Sequence, residues 1–206
     1  MTALGMQKRV TYLARRADLT RSQFGTHWRT THADIARGFP GLVCYLQNHV
    51  LERRQVGDGF ASFAVEGVVE LWFEDAQAAG VGFGSDLADR LIEDELRFLS
   101  GLTGSAVVPG PPTPPWPFKV WLLGASRSAT AVDAVGSAWN ELEPGAPVLE
   151  RETLDRMAEL PAVAQCWGFE TLEDARQAYL HLGAELARGE GEGRLLLLAE
   201  EFRIVG

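Results

Sequence analysis

The sequence predicts an α+β fold in which two βαββαβ units pack together as an intramolecular pseudo-dimeric α/β barrel. Strand-like and helix-like segments follow the order βαββαβ in the first half of the chain, and the same order returns more loosely in the second half. A proline-rich segment separates the two halves. We therefore expect a first unit at residues 1–108, a linker at 109–117 and a degenerate second unit at 118–206.

The first unit opens with an alternating, strand-like segment, KRVTYLAR, at residues 8–15. A helix is expected to begin at Arg21, because Thr20 and Gln23 have the spacing of a capping box. This helix should run to about Arg37, where the sequence GFPG follows and disfavours further helix.

The rest of the first unit supplies two strands, a helix and a last strand. LVCYLQNHV and GVVELWF are rich in β-branched and aromatic residues, which favours strands. SDLADRLIEDELRFLSG has a helical pattern with Ser85 as a plausible N-cap, and TGSAVV is expected to close the sheet. The order of elements is therefore βαββαβ.

The second half follows a proline-rich linker. VVPGPPTPPWPF, residues 107–118, contains six prolines and predicts a stiff spacer. The segments that follow are expected to be a strand (FKVWLLGA), a helix (AVDAVGSAWNEL), two strands (APVLERET and VAQCWGF), a helix (TLEDARQAYLHLGAELARG) and a last strand (RLLLLAEEFRIV). The repeat is one of element order, since few residues are identical between the halves.

Each βαββαβ unit is expected to be ferredoxin-like, with a four-stranded antiparallel sheet and both helices on one face. The other face is left bare, and an apolar bare face needs a partner. Two units in one chain can cover each other, so we expect a pseudo-dimer within one chain and leave further homo-oligomers open.

Composition excludes several classes of partner and site. A net charge of −9 disfavours binding to nucleic acid and to anionic membranes. No apolar run approaches the roughly 20 residues of a membrane span, and the N-terminus lacks an apolar signal core, so a cytoplasmic protein is expected. Cys44 and Cys166 lack ligand spacing, which indicates buried free thiols and no metal site.

The first helix carries an apolar stripe that includes a histidine. Phe24, Trp28 and His32 recur at helical spacing, with Thr31 and Ile35 on the same face. His27 lies off this stripe and is expected to be exposed. His32 can be a core histidine bonded to a backbone carbonyl, or it can belong to a binding site.

The second helix places a carboxylate where an aliphatic residue would be expected. Leu87, Leu91 and Phe98 form its apolar stripe, and Asp94 falls on that stripe. A carboxylate on an inward face costs several kcal/mol unless it is paired, so we expect a compensating partner. Glu95, by contrast, is expected to be a solvated flank.

The strands add further candidates. Glu70 and Trp72 share one face of the third strand, and Tyr45 lies in the second strand, although the sequence leaves open which face looks at the helices. We interpret these side chains as one cleft between helices and sheet. The candidate catalytic residues are His32, Asp94 and Tyr45, and the candidate substrate-binding residues are Phe24, Trp28, Glu70 and Trp72. The alternative is a structural network in which the polar groups satisfy one another.

Several segments in order resemble the EthD family of dimeric α/β-barrel proteins over residues 6–105. The strand, the LT cap, the Phe, the Trp and a His followed by a small residue all occur in the segment LARRADLTRSQFGTHWRTTHADIA. The match continues in order through FPGLVCYLQNHV, VEGVVELWF and DELRFL. The resemblance implies a barrel fold and a pocket. It also implies a link to ether-breakdown gene clusters, or to cyclase, decarboxylase or dehydratase steps on aromatic polyketides. Since Trp139 is followed by NELEPG, the second half lacks a counterpart of His32, and we expect one competent pocket per chain.

Three functional hypotheses follow. The first is an EthD-like small-molecule-binding protein that works as a cofactor-independent lyase, cyclase or dehydratase on an aromatic or polyketide-like substrate, with His32 as general acid and base. The second is a non-catalytic ligand-binding or accessory protein of a degradation or biosynthesis pathway. The third is a protein that binds haem or oxidises quinol-like substrates, as other barrels of this type do. We expect no cofactor and no metal, since the sequence contains neither a glycine-rich phosphate loop nor HExxH.

Overall fold

A curled antiparallel sheet of nine strands, with few helices, forms the body of the protein. It is seen in a computed structural model that describes residues 5–57, 64–188 and 193–206. Residues 1–4 of the N-terminus, which bear on the expectation of no signal sequence, lie outside the described residues, as does Gly189 at the end of the last predicted helix. Among the described helices, none is long and apolar enough to cross a membrane.

The first half follows the predicted order of elements, with one further helix at Ala76–Phe83 that the sequence does not predict. Thr20 and Gln23 form the expected capping box, and the helix begins at Arg21 as predicted. The elements are β1 (Gln7–Arg15), α1 (Arg21–His27), a π-helical turn (Trp28–His32), α2 (Ala33–Ala36), β2 (Leu42–Val56), β3 (Gly67–Phe73), α3 (Ala76–Phe83), α4 (Asp86–Phe98) and β4 (Leu99–Val107).

The second half departs from the prediction at its first helix. Its elements are β5 (Phe118–Gly124), β6 (Gly136–Glu141), β7 (Leu149–Glu150), β8 (Val163–Phe169), α5 (Leu172–Arg188) and β9 (Arg194–Val205). The helix predicted over AVDAVGSAWNEL is wrong, because Gly136–Glu141 pairs with β8 as a strand. Gly136 would weaken a helix interior by about 1 kcal/mol, and strand pairing overrides the remaining helical preference. The strand predicted over APVLERET shrinks to Leu149–Glu150.

The order of strands across the sheet is β6-β8-β5-β9-β2-β3-β1-β4-β7. The halves meet where β2 pairs with β9, for example at Gln47 and Phe202. The opposite ends of the sheet approach each other at an antiparallel bridge between Val107 and Leu142, so the sheet curls back on itself. Each half contributes its strands in the same spatial order, with its second, third, first and fourth long strands side by side.

Two kinds of core lie on the two sides of the curled sheet. The inner side holds a cluster built from strands of both halves, including Val68, Trp121 and Leu197. The outer side is covered by helices: one cluster joins the first-half helices to β1–β4, and another joins α5 to the second-half strands. Cys44 and Cys166 are buried free thiols, as the sequence predicts.

The proline-rich segment packs against one end of the barrel. The backbone oxygen of Gly110 accepts a hydrogen bond from Trp72 Nε1 at 2.8 Å, and that of Thr113 accepts one from Arg203 Nη2 at 2.7 Å. Trp116 is buried, with its ring against Gly136 and Gly168. The segment that the sequence identifies as a spacer therefore also closes the barrel end.

The substitution Gly168→Ala tests this closure. A Cβ at Gly168 would overlap the Trp116 ring, whereas a Cβ at Gly110 meets nothing within 4 Å. We expect Gly168→Ala to lower the free energy of unfolding by about 1–3 kcal/mol through overpacking, and Gly110→Ala to leave it nearly unchanged. Urea unfolding of both variants measures this, and equal effects would contradict the packing of Trp116 on β8.

Candidate active site

A buried carboxylate lies between two imidazole rings where α1 and the π-helical turn pack against α4. His27 Nε2 is 3.0 and 3.1 Å from the two carboxylate oxygens of Asp94, and His32 Nδ1 is 3.1 Å from Oδ2. Asp94 is 1% exposed. The sequence predicts an inward carboxylate that needs compensation, and the two imidazoles supply it.

The π-helical turn explains why both histidines reach the same carboxylate. Within Trp28–His32 the helix widens, and the amide of Ala33 donates to the backbone oxygen of Trp28, five residues back. His27 and His32, also five residues apart, then both contact Asp94. The expectation that His27 is exposed is wrong: its side chain is only 26% exposed and binds Asp94. Thr31, expected on the inner face, is exposed.

Aromatic rings hold the two imidazoles in place. The ring centroid of Phe98, a fully buried residue of α4, lies 4.9 Å from that of His27 and 5.1 Å from that of His32. Phe24 packs behind Phe98 at 5.7 Å. Contact with a packed aromatic ring restricts the rotation of each imidazole, so the hydrogen bonds to Asp94 are preorganised.

The charge on Asp94 is stabilised by its partners. Burial acts to raise the pKa of Asp94. The hydrogen bonds from His32 and His27, together with the charges of both imidazoles, outweigh that effect and hold the pKa below its ordinary value. An ionised carboxylate accepts a hydrogen bond from an imidazole N–H, so the 3.1 Å contact to His32 Nδ1 fixes the orientation of the His32 ring.

His32 borders an apolar cavity between the helices and the sheet. Its accessible volume is about 70 Å³, which is room for several water-sized groups or the edge of a small ring. Polar side chains in the lining are Thr11, His32, Tyr45, Glu95 and Arg151, and the apolar ones include Leu13, Phe39, Val69, Leu71, Phe73, Leu91, Phe98 and Leu102. A mostly apolar lining with a few polar points is typical of small-molecule sites.

Tyr45 presents a neutral phenol to this cavity. Its hydroxyl oxygen accepts hydrogen bonds from Trp28 Nε1 at 3.0 Å and from Gln47 Nε2 at 2.8 Å. Burial raises the pKa of Tyr45 far above its usual value, so the phenol keeps its proton. With both accepting positions taken, that O–H is available to a ligand as a donor.

Behind Tyr45 lies a polar chain formed by Gln47 and His49, which alternation along β2 places on the same face as Tyr45. His49 Nε2 lies 3.0 Å from Gln47 Oε1, and its ring stacks on Trp28 with centroids 4.4 Å apart. Burial lowers the pKa of His49 to about 3, so its ring is neutral. His49 and Gln47 therefore support Trp28 and Tyr45 and carry no charge.

The structure brings together only some of the sequence candidates. His32, Asp94 and Tyr45 lie around the cavity, and Phe24 and Trp28 are buried beside it as packing for the histidines and Tyr45. Glu70 and Trp72 point to the inner side of the sheet, since Val69, Leu71 and Phe73 of the same strand occupy the cavity side. The single cleft expected from the sequence is thus divided between two sides of the sheet.

Glu95 and Arg151 are cavity residues that the sequence does not indicate. Glu95 is 7% exposed and forms a bidentate pair with Arg151, at 2.6 Å to Nε and 3.1 Å to Nη2. Arg151 and Leu149 come from the second half, because β7 pairs with β4. The expectation that Glu95 is a solvated flank is wrong, since its partner lies 56 residues away and no local pattern reveals it.

The donor set bears on metal and haem chemistry. Across residues 5–57, 64–188 and 193–206, no group of three or more His, Cys, Asp or Glu side chains is placed to hold a metal ion. A cavity of about 70 Å³ is too small for a haem macrocycle. The described cavity residues therefore do not fit haem.

Comparisons with known proteins agree with this architecture. Along nearly its full length the chain is similar in structure to an anthrone oxidase-like protein, with a TM-score of 0.57, 7% identity and coverage of 99% of this chain and 96% of that one. A monooxygenase-like protein from Lactobacillus acidophilus gives a TM-score of 0.50 at 8% identity, covering 98% and 95%. An EthD family protein from Bacillus halodurans is 18% identical, covers 46% of this chain and 87% of that chain, and has a TM-score of 0.31.

These likenesses concern the fold and one segment of sequence. No curated protein matches the sequence. The EthD domain family matches residues 16–101, the segment that carries His27, His32, Tyr45 and Asp94. The first half of the chain thus matches the EthD domain family, and the whole chain has a curled-sheet fold like that of the dimeric α/β-barrel proteins.

Proposed function

We propose that this chain is an EthD-like enzyme that moves a proton on a small aromatic or polyketide-like substrate without a cofactor, in a lyase, cyclase or dehydratase type of reaction. The observation that carries the proposal is the buried Asp94 carboxylate bound to Nδ1 of His32, whose ring borders an apolar cavity. An imidazole oriented by a carboxylate can act as a general base.

The three polar side chains have distinct roles in this proposal. His32 Nε2 takes a proton from a carbon next to a substrate carbonyl, and Asp94 stabilises the imidazolium that forms. Tyr45 donates its hydroxyl proton in a hydrogen bond to the carbonyl oxygen, where negative charge develops. His32 then returns the proton to the substrate or to the leaving group.

His27 is a positioning residue for this reaction. It binds both oxygens of Asp94 and is more exposed than His32, at 26% against 12% of the side chain. It thereby fixes the carboxylate from the solvent side and links Asp94 to bulk water. His27 does not border the cavity and makes no contact with substrate in this proposal.

We also propose that the two halves are repeats of one unit, at residues 1–108 and 118–206, joined by residues 109–117. The shared spatial order of their strands supports this. The second unit has β6 but lacks a helix corresponding to α1, and the described residues between β5 and β6 form no helix. One catalytic pocket per chain follows, with the second unit contributing Arg151 to its edge.

A second candidate function is a non-catalytic binding or accessory protein. This function is favoured by the neutral hydroxyl of Tyr45 and by the Glu95–Arg151 ion pair, because both can bind a ligand without any proton transfer. The cavity would then take the edge of a small aromatic molecule, and His32 would serve only as a hydrogen-bond partner.

Solvent exchange at an enolisable carbon distinguishes the two functions. With β-tetralone as the probe in D₂O, we expect the wild-type protein to catalyse deuterium uptake beside the carbonyl, measured by NMR. His32→Ala should lower the protein-catalysed rate by about a hundredfold or more, because general acid–base catalysis is lost. If β-tetralone raises the melting temperature without exchange in the wild type, the binding function is favoured.

A further inference from the structure

A second and larger cavity lies under the proline-rich segment, away from His32. Its accessible volume is about 410 Å³, and residues 108–114 face strand β6 across it. Its described lining shares no residue with that of the His32 cavity. It lies at the end of the barrel, where Lys8 of β1 forms part of its wall.

The interior of the barrel beside this cavity holds more cations than carboxylates. Lys119 Nζ lies 2.7 Å from Glu70 and 2.6 Å from Glu201, and Lys8 Nζ lies 2.7 Å from Glu70. Arg203 is 3.8 Å from Glu201. The cluster therefore contains three cations, of which Arg203 is partly exposed at 23% of its side chain, and two buried carboxylates, so it has one positive charge more than it has negative ones.

Lys8 is the cation of this cluster that borders the cavity. It is 3% exposed, and among the described residues its ammonium group donates only to Glu70, with Trp72 beneath it at 4.0 Å from the ring centroid. An ammonium carries three N–H groups. A buried cation with unused donors beside a cavity is expected to find a further acceptor there.

The remaining walls combine flat rings with a few polar side chains. Ser137, Asn140 and Glu141 of β6 line one side, and the Glu141 carboxylate is already paired with Arg127. Trp116 and several prolines, among them Pro111 and Pro114, line the cavity. Thr113 is 8% exposed, and its hydroxyl has no hydrogen-bond partner in the part of the chain that the structure describes. These groups suit a planar ring that carries an acceptor.

We propose that this cavity is a second ligand site, which takes a small aromatic carboxylate whose carboxylate binds Lys8 and whose ring packs against Trp116 and the proline rings. The carboxylate supplies the negative charge that the buried cluster lacks, and it uses the free N–H groups of Lys8. The site does not depend on the proposed reaction at His32.

Calorimetric titration with benzoate tests the site. We expect saturable binding to the wild-type protein, with a Kd of about 1 mM or tighter, and binding of neutral benzamide weaker by about tenfold or more. Lys8→Met should weaken benzoate binding about tenfold, because the charged donor is lost. His32→Ala should leave benzoate binding unchanged, which separates this site from the proposed catalytic one.

A second variant covers the case in which Lys8→Met fails to fold. Gly110 lines the cavity, its backbone oxygen binds Trp72, and a Cβ there meets nothing within 4 Å. Gly110→Phe should therefore fold and reduce benzoate binding by filling the space, whereas Gly110→Ala should bind normally. The proposal is overturned if benzoate does not bind the wild type, if benzamide binds equally well, or if Gly110→Phe or a folded Lys8→Met binds benzoate as the wild type does.

Discussion

Asp94→Asn is expected to lower the rate of proton exchange by about 10²–10⁴-fold while leaving the fold intact, as loss of an orienting carboxylate does in other histidine-based sites. The amide of Asn occupies the same space as the carboxylate. It has only one oxygen to accept hydrogen bonds from the two imidazoles, and it carries no negative charge. His32 then loses the interaction that fixes its Nδ1–H tautomer and stabilises its imidazolium. Exchange of β-tetralone at saturating concentration measures the change.

Asp89→Asn is the matched control for this substitution. Asp89 lies on the same helix, α4, and is exposed to solvent. The same loss of one charge there should leave the exchange rate unchanged. Equal rates for Asp94→Asn and the wild type would contradict the role assigned to Asp94, even if His32→Ala were inactive.

Stability should respond to pH in a direction set by Asp94. Its folded-state pKa lies below the ordinary value of 3.8, so the unfolded chain takes up the proton more readily. The stabilisation by the ionised form is therefore present above about pH 4 and is lost as the pH falls through the lowered pKa. Asp94→Asn lacks this contribution, so its melting temperature should fall less between pH 6 and pH 3.

The sequence reveals Asp94 and His32 because each breaks or extends a local pattern. Asp94 occupies an aliphatic position of an amphipathic helix, which already indicates a buried, compensated carboxylate. The same approach fails for His27, since helical spacing assumes 3.6 residues per turn throughout. The π-helical turn at Trp28–His32 adds a residue to one turn, and no capping or composition signal marks it.

Local sequence patterns do not identify residues whose partners are distant in the sequence. Glu95 resembles any flank of an acidic helix, and only the pairing of β7 with β4 brings Arg151 to it. Alternation along β3 separates Glu70 from Val69 but cannot say which side of the sheet encloses the barrel. The helix predicted around Gly136 fails for the same reason, because pairing with β8 decides its conformation.

Lys119→Met is expected to lower the free energy of unfolding by about 3–5 kcal/mol, because it removes the close ion-pair partner that Glu70 and Glu201 share. Among the described residues, Glu201 is then left with only Arg203, at 3.8 Å. Lys119 is 0% exposed and pairs with Glu70 and Glu201. Burial acts to raise the pKa of Glu70, but Lys119 and Lys8 outweigh it and lower that pKa to about 2. Urea unfolding at pH 7 measures the loss.

Arg176→Met is the control, since Arg176 pairs with Glu52 at a similar 2.8 Å on the surface, where both side chains are about 40% exposed. It should cost about 1 kcal/mol or less, because solvent screens an exposed pair. The pH dependence of the stability loss distinguishes stranded charge from lost packing. The contribution of ionised Glu70 is present above its ordinary pKa of 4.5 and is lost as the pH falls towards 2. The deficit of Lys119→Met relative to the wild type should therefore shrink over that range, and a deficit independent of pH would show that lost packing, and not the stranded charges, destabilises the variant.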